Sequence, residues 1–184
     1  IVINCHCLLF ELKIAHQKMS SKHRNLSEYV PVKLTGKKKI KIGIVVSEWN
    51  GNITERLKSG TVKTLIENGV KRDSILFLSV PGSFELPFGA QTMIRKNKVD
   101  AVICLGCLIK GETPHFEFIS QAVSKGIMEV GLKFNRHVIF GVLTTNTIRQ
   151  ALDRSGGKYG NKGVEAALTA LKMDLSWLKG RLSE

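Results

Sequence analysis

DAVICLGCLIKGETPHFEFI, residues Asp100 to Ile119, is the stretch from which the rest of the chain can be read. Ala101 to Ile109 is uncharged and almost wholly apolar, with Gly106 the one break. Such a run, lacking polar alternation, predicts a strand buried on both faces, as in a parallel sheet. Lys110-Gly111-Glu112-Thr113 then turns the chain into a helix opening at Pro114, with Thr113 as its N-cap. Beyond it Phe116, Ile119, Val123, Ile127, Val130 and Phe134 recur in steps of three and four, which is one helical face. His115 therefore falls in the first turn of a helix, at the carboxyl end of a buried strand, where open α/β sheets bind ligands. It is a candidate for accepting a proton there; the plainer reading is a surface histidine near a helix start.

Working outward, Ile40 to Val46 predicts a strand, followed by the loop Ser47-Glu48-Trp49-Asn50-Gly51-Asn52. Asn52 or Thr54 caps the next helix, which runs to about Asn68 and stops at Gly69. A second strand is expected over Ser74 to Val80, then the loop Pro81 to Pro87 and a helix ending near Lys98. On the far side the long helix ends near Asn135, and His137 to Leu143 forms a fourth strand. Thr144 to Thr147 leads into a short helix ending at Ser155-Gly156-Gly157, and a last helix spans about Asn161 to Leu178. The order β-α-β-α-β-α-β-α-α predicts a flavodoxin-like three-layer α/β sandwich: a four-stranded parallel sheet with helices on both faces. Loops carrying Trp49-Asn50, Ser83-Phe84-Glu85 and Glu112-Thr113-x-His115 should converge on one sheet edge. There an exposed Trp offers a stacking face for a flat heterocycle, Glu85 can accept hydrogen bonds from a polyol, and the Gly111–Thr113 turn can offer N–H groups to a phosphate.

The bulk numbers bound the rest. At 184 residues, 43% hydrophobic and 23% charged, the chain suits one domain with a substantial core. No apolar run approaches the roughly 18 residues of a membrane helix. The net charge of +13 is unevenly spread: residues 1–39 hold eight Lys/Arg against two acids. Lys37-Lys38-Lys39 is the one basic block, without interleaved aromatics or a recognition motif, so neither nucleic acid nor membrane is expected as a partner. A basic surface also suits phosphorylated small molecules. Residues 1–39 read as an appendage to a single domain over 40–184. They are expected to be an upstream or targeting segment, with Met19 an alternative start, and Glu28 to Thr35 to add an edge strand to a neighbour. The location expected is the cytoplasm, or an organelle if that segment is a transit peptide. Of the four cysteines, Cys5-His6-Cys7 and Cys104-x-x-Cys107 suggest zinc, but residues three apart on a strand point to opposite faces. Buried thiols are the better account, and no metal or other cofactor is expected.

Five blocks in order, across residues 40–173, resemble the 6,7-dimethyl-8-ribityllumazine synthase family of riboflavin biosynthesis. They are Trp49-Asn50-x-x-Ile53-Thr54, Val80 to Pro87, Gly111-Glu112-Thr113-x-His115-Phe116-Glu117, Phe140 to Thr145, and Arg154-x-Gly156-x-Lys158-x-Gly160-Asn161-Lys162-Gly163. The resemblance implies a transferase that condenses 5-amino-6-(D-ribitylamino)uracil with 3,4-dihydroxy-2-butanone 4-phosphate, releasing phosphate and water, with no redox step. By the same resemblance Trp49 stacks on the pyrimidine beside Asn50. Ser83, Phe84 and the backbone of Cys107, Leu108 and Ile109 hold its polar edge, and Glu85 takes the ribityl hydroxyls. Glu112 and Thr113 offer backbone N–H groups to the phosphate, joined by Arg154; His115 transfers protons, and Phe140 and Lys162 complete the site. Phe140, Arg154 and Lys162 are implied to come from the neighbouring subunit. Departures are few: His137 stands where the family usually has Pro, and Ser155 where it has Ala.

The resemblance further implies a homopentamer, and the uninterrupted RSGGKYGNKG turn of Arg154 to Gly163 sides with a closed sixty-chain shell. Riboflavin synthase is a candidate partner. The alternative is a non-catalytic flavin- or lumazine-binding or shell-forming relative of the same fold; retention of His115 and Arg154 argues against it.

Overall fold

A computed structural model of the protein describes residues 40–181. The predicted extension over 1–39, with its edge strand and the Cys5-His6-Cys7 group, lies outside the described residues. In chain order the elements are β1 (Ile42–Ser47), α1 (Gly51–Glu67), β2 (Ile75–Val80), α2 (Leu86–Asn97), β3 (Ala101–Ile109) and α3 (His115–Phe134). They continue with β4 (His137–Thr145), α4 (Ile148–Asp153), the short β5 (Ser155–Gly157) and β6 (Gly160–Asn161), and α5 (Lys162–Arg181). The four long strands are parallel, in the order β2-β1-β3-β4. The predicted flavodoxin-like architecture is present.

The sheet separates two cores because alternate residues of each strand point to opposite faces. Ile42, Ile44 and Val46 of β1 and Leu105 and Cys107 of β3 pack with Leu57 and Leu65 of α1 and Ala167 and Leu171 of α5. Val45, Val102 and Cys104 point the other way, onto Ala90 and Met93 of α2 and Val123 and Ile127 of α3. Each fully buried Leu, Ile or Val contributes on the order of 1.5–3 kcal/mol, which is why β3, buried from Ala101 to Cys107, anchors the fold. Cys104 and Cys107 fall in different cores, as their spacing predicts, and both thiols are free. Burial pushes Cys104 up to about 12 and Cys107 up to about 11.

Several boundaries differ from expectation. α1 starts at Gly51 rather than behind a cap at Asn52 or Thr54. Asn50 stands at its head in the left-handed conformation (φ 60°), and its carbonyl accepts from Ile53 N and Thr54 N. α3 opens at His115, one residue later than predicted, and Thr113 makes no capping bond. Pro114 takes the cap position, its carbonyl accepting from Glu117 N and Phe118 N. β1 and β2 begin at Ile42 and Ile75, and β4 runs on to Thr145. The short helix ends at Asp153, and Ser155–Gly157 pairs antiparallel with Gly160–Asn161 in a hairpin that the sequence reading lacked.

α1 and α5 pack tightly where their side chains are small. A Cβ on Gly163 would collide with the Leu57 carbonyl, and the Thr61 hydroxyl bonds both Leu57 O (2.9 Å) and Gly163 O (3.0 Å). No described helix is long and apolar enough to cross a membrane.

Candidate active site

α1 leaves the end of β1 on one face of the sheet, whereas α3 leaves the neighbouring β3 on the other. Their departure in opposite directions opens a crevice at the carboxyl ends of the strands, where ligands bind in open α/β sheets. Backbone bonds from Glu48 N to Val80 O (2.8 Å) and Trp49 N to Pro81 O (3.1 Å) join the loop after β1 to the loop after β2. The Asn50 amide donates to the Cys107 carbonyl (3.0 Å), joining the first loop to β3. All three predicted loops thus meet.

The result is a cleft of about 660 Å³. Trp49, Asn50, Ser83, Phe84, Glu85, Cys107, Leu108, Ile109, Thr113 and His115 all line it. Trp49 is 73% and Phe84 57% exposed, so two aromatic faces stand open at its mouth rather than in the core. Glu85 commits one carboxylate oxygen to Gly82 N (3.0 Å), which fixes its direction. Gly111 lines the same cleft, and a Cβ there would meet nothing within 4 Å, so this turn is open to a ligand. Glu112 is exposed in that turn but does not line the cleft. Lys110 and Glu117 bridge the turn with an ion pair of 3.1 Å. The Lys110 ammonium, by its hydrogen bond, holds the Glu117 carboxyl below the usual carboxylate range.

Phe140, Arg154 and Lys162 are elsewhere. They line a second depression of about 440 Å³ beside the end of β4, together with Gln150 and Tyr159, and it shares no lining residue with the cleft. Arg154 donates to the Tyr159 carbonyl (2.8 Å) and lies 3.0 Å from Glu165; Lys162 lies 3.1 Å from the other oxygen of Glu165. Glu165 was missed by sequence reasoning, although Lys162-x-x-Glu165 is the spacing of neighbours on a helix surface. Asn161 fixes the hairpin beneath these cations, donating to Arg56 O (3.0 Å) and Ser155 O (3.3 Å) and accepting from Gly163 N (2.8 Å). Among the described residues no three His, Cys, Asp or Glu gather as a metal site requires.

A third concavity, a groove of about 760 Å³, runs between α3 and α5 across β4. Met128, Leu132, Val138, Phe140 and Met173 line it, with Leu132 75% and Met128 59% exposed.

The sequence pattern of the family described as 6,7-dimethyl-8-ribityllumazine synthase matches residues 39–176. Relatives bearing that same name include one from Cytophaga hutchinsonii, 57% identical over 155 residues, or 84% of this chain and 97% of the relative. Others come from Parabacteroides distasonis, at 50% identity with the same coverage, and Porphyromonas gingivalis, at 49% over 84% of this chain and 96% of the relative.

Proposed function

The chain belongs to the 6,7-dimethyl-8-ribityllumazine synthase family, and from that premise we propose that it joins 5-amino-6-(D-ribitylamino)uracil to 3,4-dihydroxy-2-butanone 4-phosphate. The products are 6,7-dimethyl-8-ribityllumazine, phosphate and water, in riboflavin biosynthesis. The observation that carries this reading is the cleft itself: exposed Trp49 and Phe84 at its mouth, Ser83 and Glu85 in one wall, and His115 on the other. The pyrimidine stacks on Trp49, its polar edge meets Ser83 and the end of β3, and the ribityl chain reaches Glu85. The amine attacks the ketone, phosphate leaves by elimination, and the second nitrogen closes the ring. His115 moves protons between these steps, worth about 10²–10⁴-fold. Holding the two reactants together lowers the barrier by roughly 7–11 kcal/mol more.

The phosphate needs cations that the cleft does not carry. Arg154 and Lys162 line a separate depression, so a second copy bringing its Arg154, Lys162 and Phe140 to the cleft mouth would complete the site. Two cations against one Glu165 leave that cluster net positive, as a phosphate requires. The apolar groove flanking Phe140 supports burial against such a copy. A pentamer follows from the family reading, and the compact hairpin over Arg154 to Gly163 favours closure into a sixty-chain shell, with riboflavin synthase as the consumer of its product. Light scattering that returned a mass near five chains and nothing larger would rule out the shell.

Incubating purified protein with both substrates tests the activity directly. Lumazine fluorescence should grow with time in proportion to enzyme. No fluorescence above the uncatalysed background would refute the assignment.

A further inference from the structure

Ser47 closes β1 with its side chain fully buried, and its hydroxyl has no hydrogen-bond partner. A buried hydroxyl left unpaired is unfavourable, so its retention calls for a physical reason. β1 and β3 pair through Val46 and Leu105, and one residue further along Ser47 comes to lie beside Gly106. Gly106 is the single break in the apolar β3 run. A Cβ placed there would stand 2.6 Å from Ser83 Oγ and 3.4 Å from Ser47 Oγ. Ser83 as a residue is 5% exposed, and its hydroxyl occupies the space that any larger residue at 106 would claim, with the Ser47 hydroxyl at the side of the same space.

We propose that Gly106 and Ser47 are positioning residues for Ser83. Gly106 supplies the seat on which the Ser83 hydroxyl rests in the cleft wall. The Ser47 O–H makes no bond in this structure; a ligand acceptor that turns the Ser83 proton toward itself leaves Ser83 Oγ to accept from Ser47. Ser83 then presents a donor, and the ligand edge it selects carries an acceptor, as the carbonyl of a pyrimidinedione does. The inference rests on the cleft being the pyrimidine site. It goes further by assigning the hydrogen-bonding sense of that wall to two residues that do not line it.

The test is fluorescence titration with the lumazine product, alongside KM for the ribitylaminouracil and thermal unfolding, on the full chain. Ser47→Ala should melt at or above the wild-type temperature, because it removes an unpaired buried hydroxyl, yet bind product about 3–10-fold more weakly. Gly106→Ala should fold, since the atoms it displaces are the ends of the Ser83 and Leu86 side chains, but it should lose on the order of 10-fold or more in product affinity and KM with a smaller change in kcat. Both losses should vanish in the Ser83→Ala background, where Ser47→Ala/Ser83→Ala and Gly106→Ala/Ser83→Ala bind like Ser83→Ala alone. Wild-type affinity in Ser47→Ala and Gly106→Ala, or losses that add to that of Ser83→Ala, would overturn the proposal. A wild-type protein that binds no lumazine would instead refute the reading of the cleft, and this inference with it.

Discussion

The cleft and the charged depression are built on opposite plans within one chain. The cleft is made of loop ends and backbone at the sheet edge; its most prominent side chains, Trp49 and Phe84, are exposed aromatics. The depression is made of charge, with Arg154, Lys162 and Glu165 interlocked at 3.0 and 3.1 Å, part-buried and braced by a hairpin. On the proposed function, the difference follows from what each would hold. A flat heterocycle is recognised by shape and by a few fixed polar groups, and a ring face needs no partner until it arrives. A phosphate is recognised by cations, which repel each other and wander on long side chains unless a counter-ion holds them in place.

Changes to each half should therefore fail differently. The largest effect belongs to the cleft: His115→Ala should slow turnover by about 10–10⁴-fold with substrate binding largely kept, and unchanged turnover in single-turnover kinetics would remove His115 from the chemistry. Next comes Arg154→Ala, which loses charge-assisted hydrogen bonds worth about 1.5–3 kcal/mol each. KM for the phosphorylated substrate should rise about 10–150-fold with little change for the ribitylaminouracil. Equal rises for both substrates would make Arg154 a structural residue. Mixing these two variants by co-refolding, at low phosphorylated substrate, should recover about one-quarter of wild-type activity, because random head-to-tail pairing unites an intact cleft with an intact cation pair at that frequency. No recovery would mean that both halves act within one chain.

Glu165→Gln should be milder, a loss of about 3–10-fold in apparent phosphate affinity, since it loosens the cations without removing them. Restoration by Glu165→Asp would point to the ion pairs rather than to packing. The smallest effect concerns the thiols in the two cores. With Cys104 at about 12 and Cys107 at about 11, neither should be alkylated in the native protein near pH 8, and both should react once it is unfolded. Because burial raises these values, the stability tied to the neutral thiols is complete below the ordinary thiol value of 9.0 and declines as the pH climbs from there toward 11–12. Peptide mapping by mass spectrometry and alkaline unfolding curves check both.

Much of this was legible in the chain because it rests on patterns of period two or 3.6. The uncharged Ala101–Ile109 run gives a central strand, the Phe116-to-Phe134 spacing gives the inward face of α3, and strand ends place three loops together. What escaped depends on contacts far apart in sequence. Asn50 reads as a turn residue, but its amide is spent on Cys107, 57 positions away. Glu165 reads as one more acid near a helix start until the hairpin brings Arg154 against it. The β5–β6 hairpin has too few residues to show alternation, and the Cβ clash that explains Gly106 exists only once Ser83 is folded over it.

α1 also works as a ruler. Its head is fastened to β3 through Asn50, and two turns on, the Arg56 carbonyl accepts from the Asn161 amide while Gly163 packs closely against the Leu57 carbonyl at the root of the charged hairpin. The interval from Asn50 to Leu57 is about 10 Å at about 1.5 Å per residue, and each inserted residue would swing everything beyond it by about 100°. Exposed positions such as Glu55 and Ser59 can change freely, whereas the number of residues cannot. Lineages descending from this chain are thus free to drift in spelling along the exposed face of α1 but not in length, and a single-codon insertion or deletion there would be purged even where substitutions on that face are tolerated.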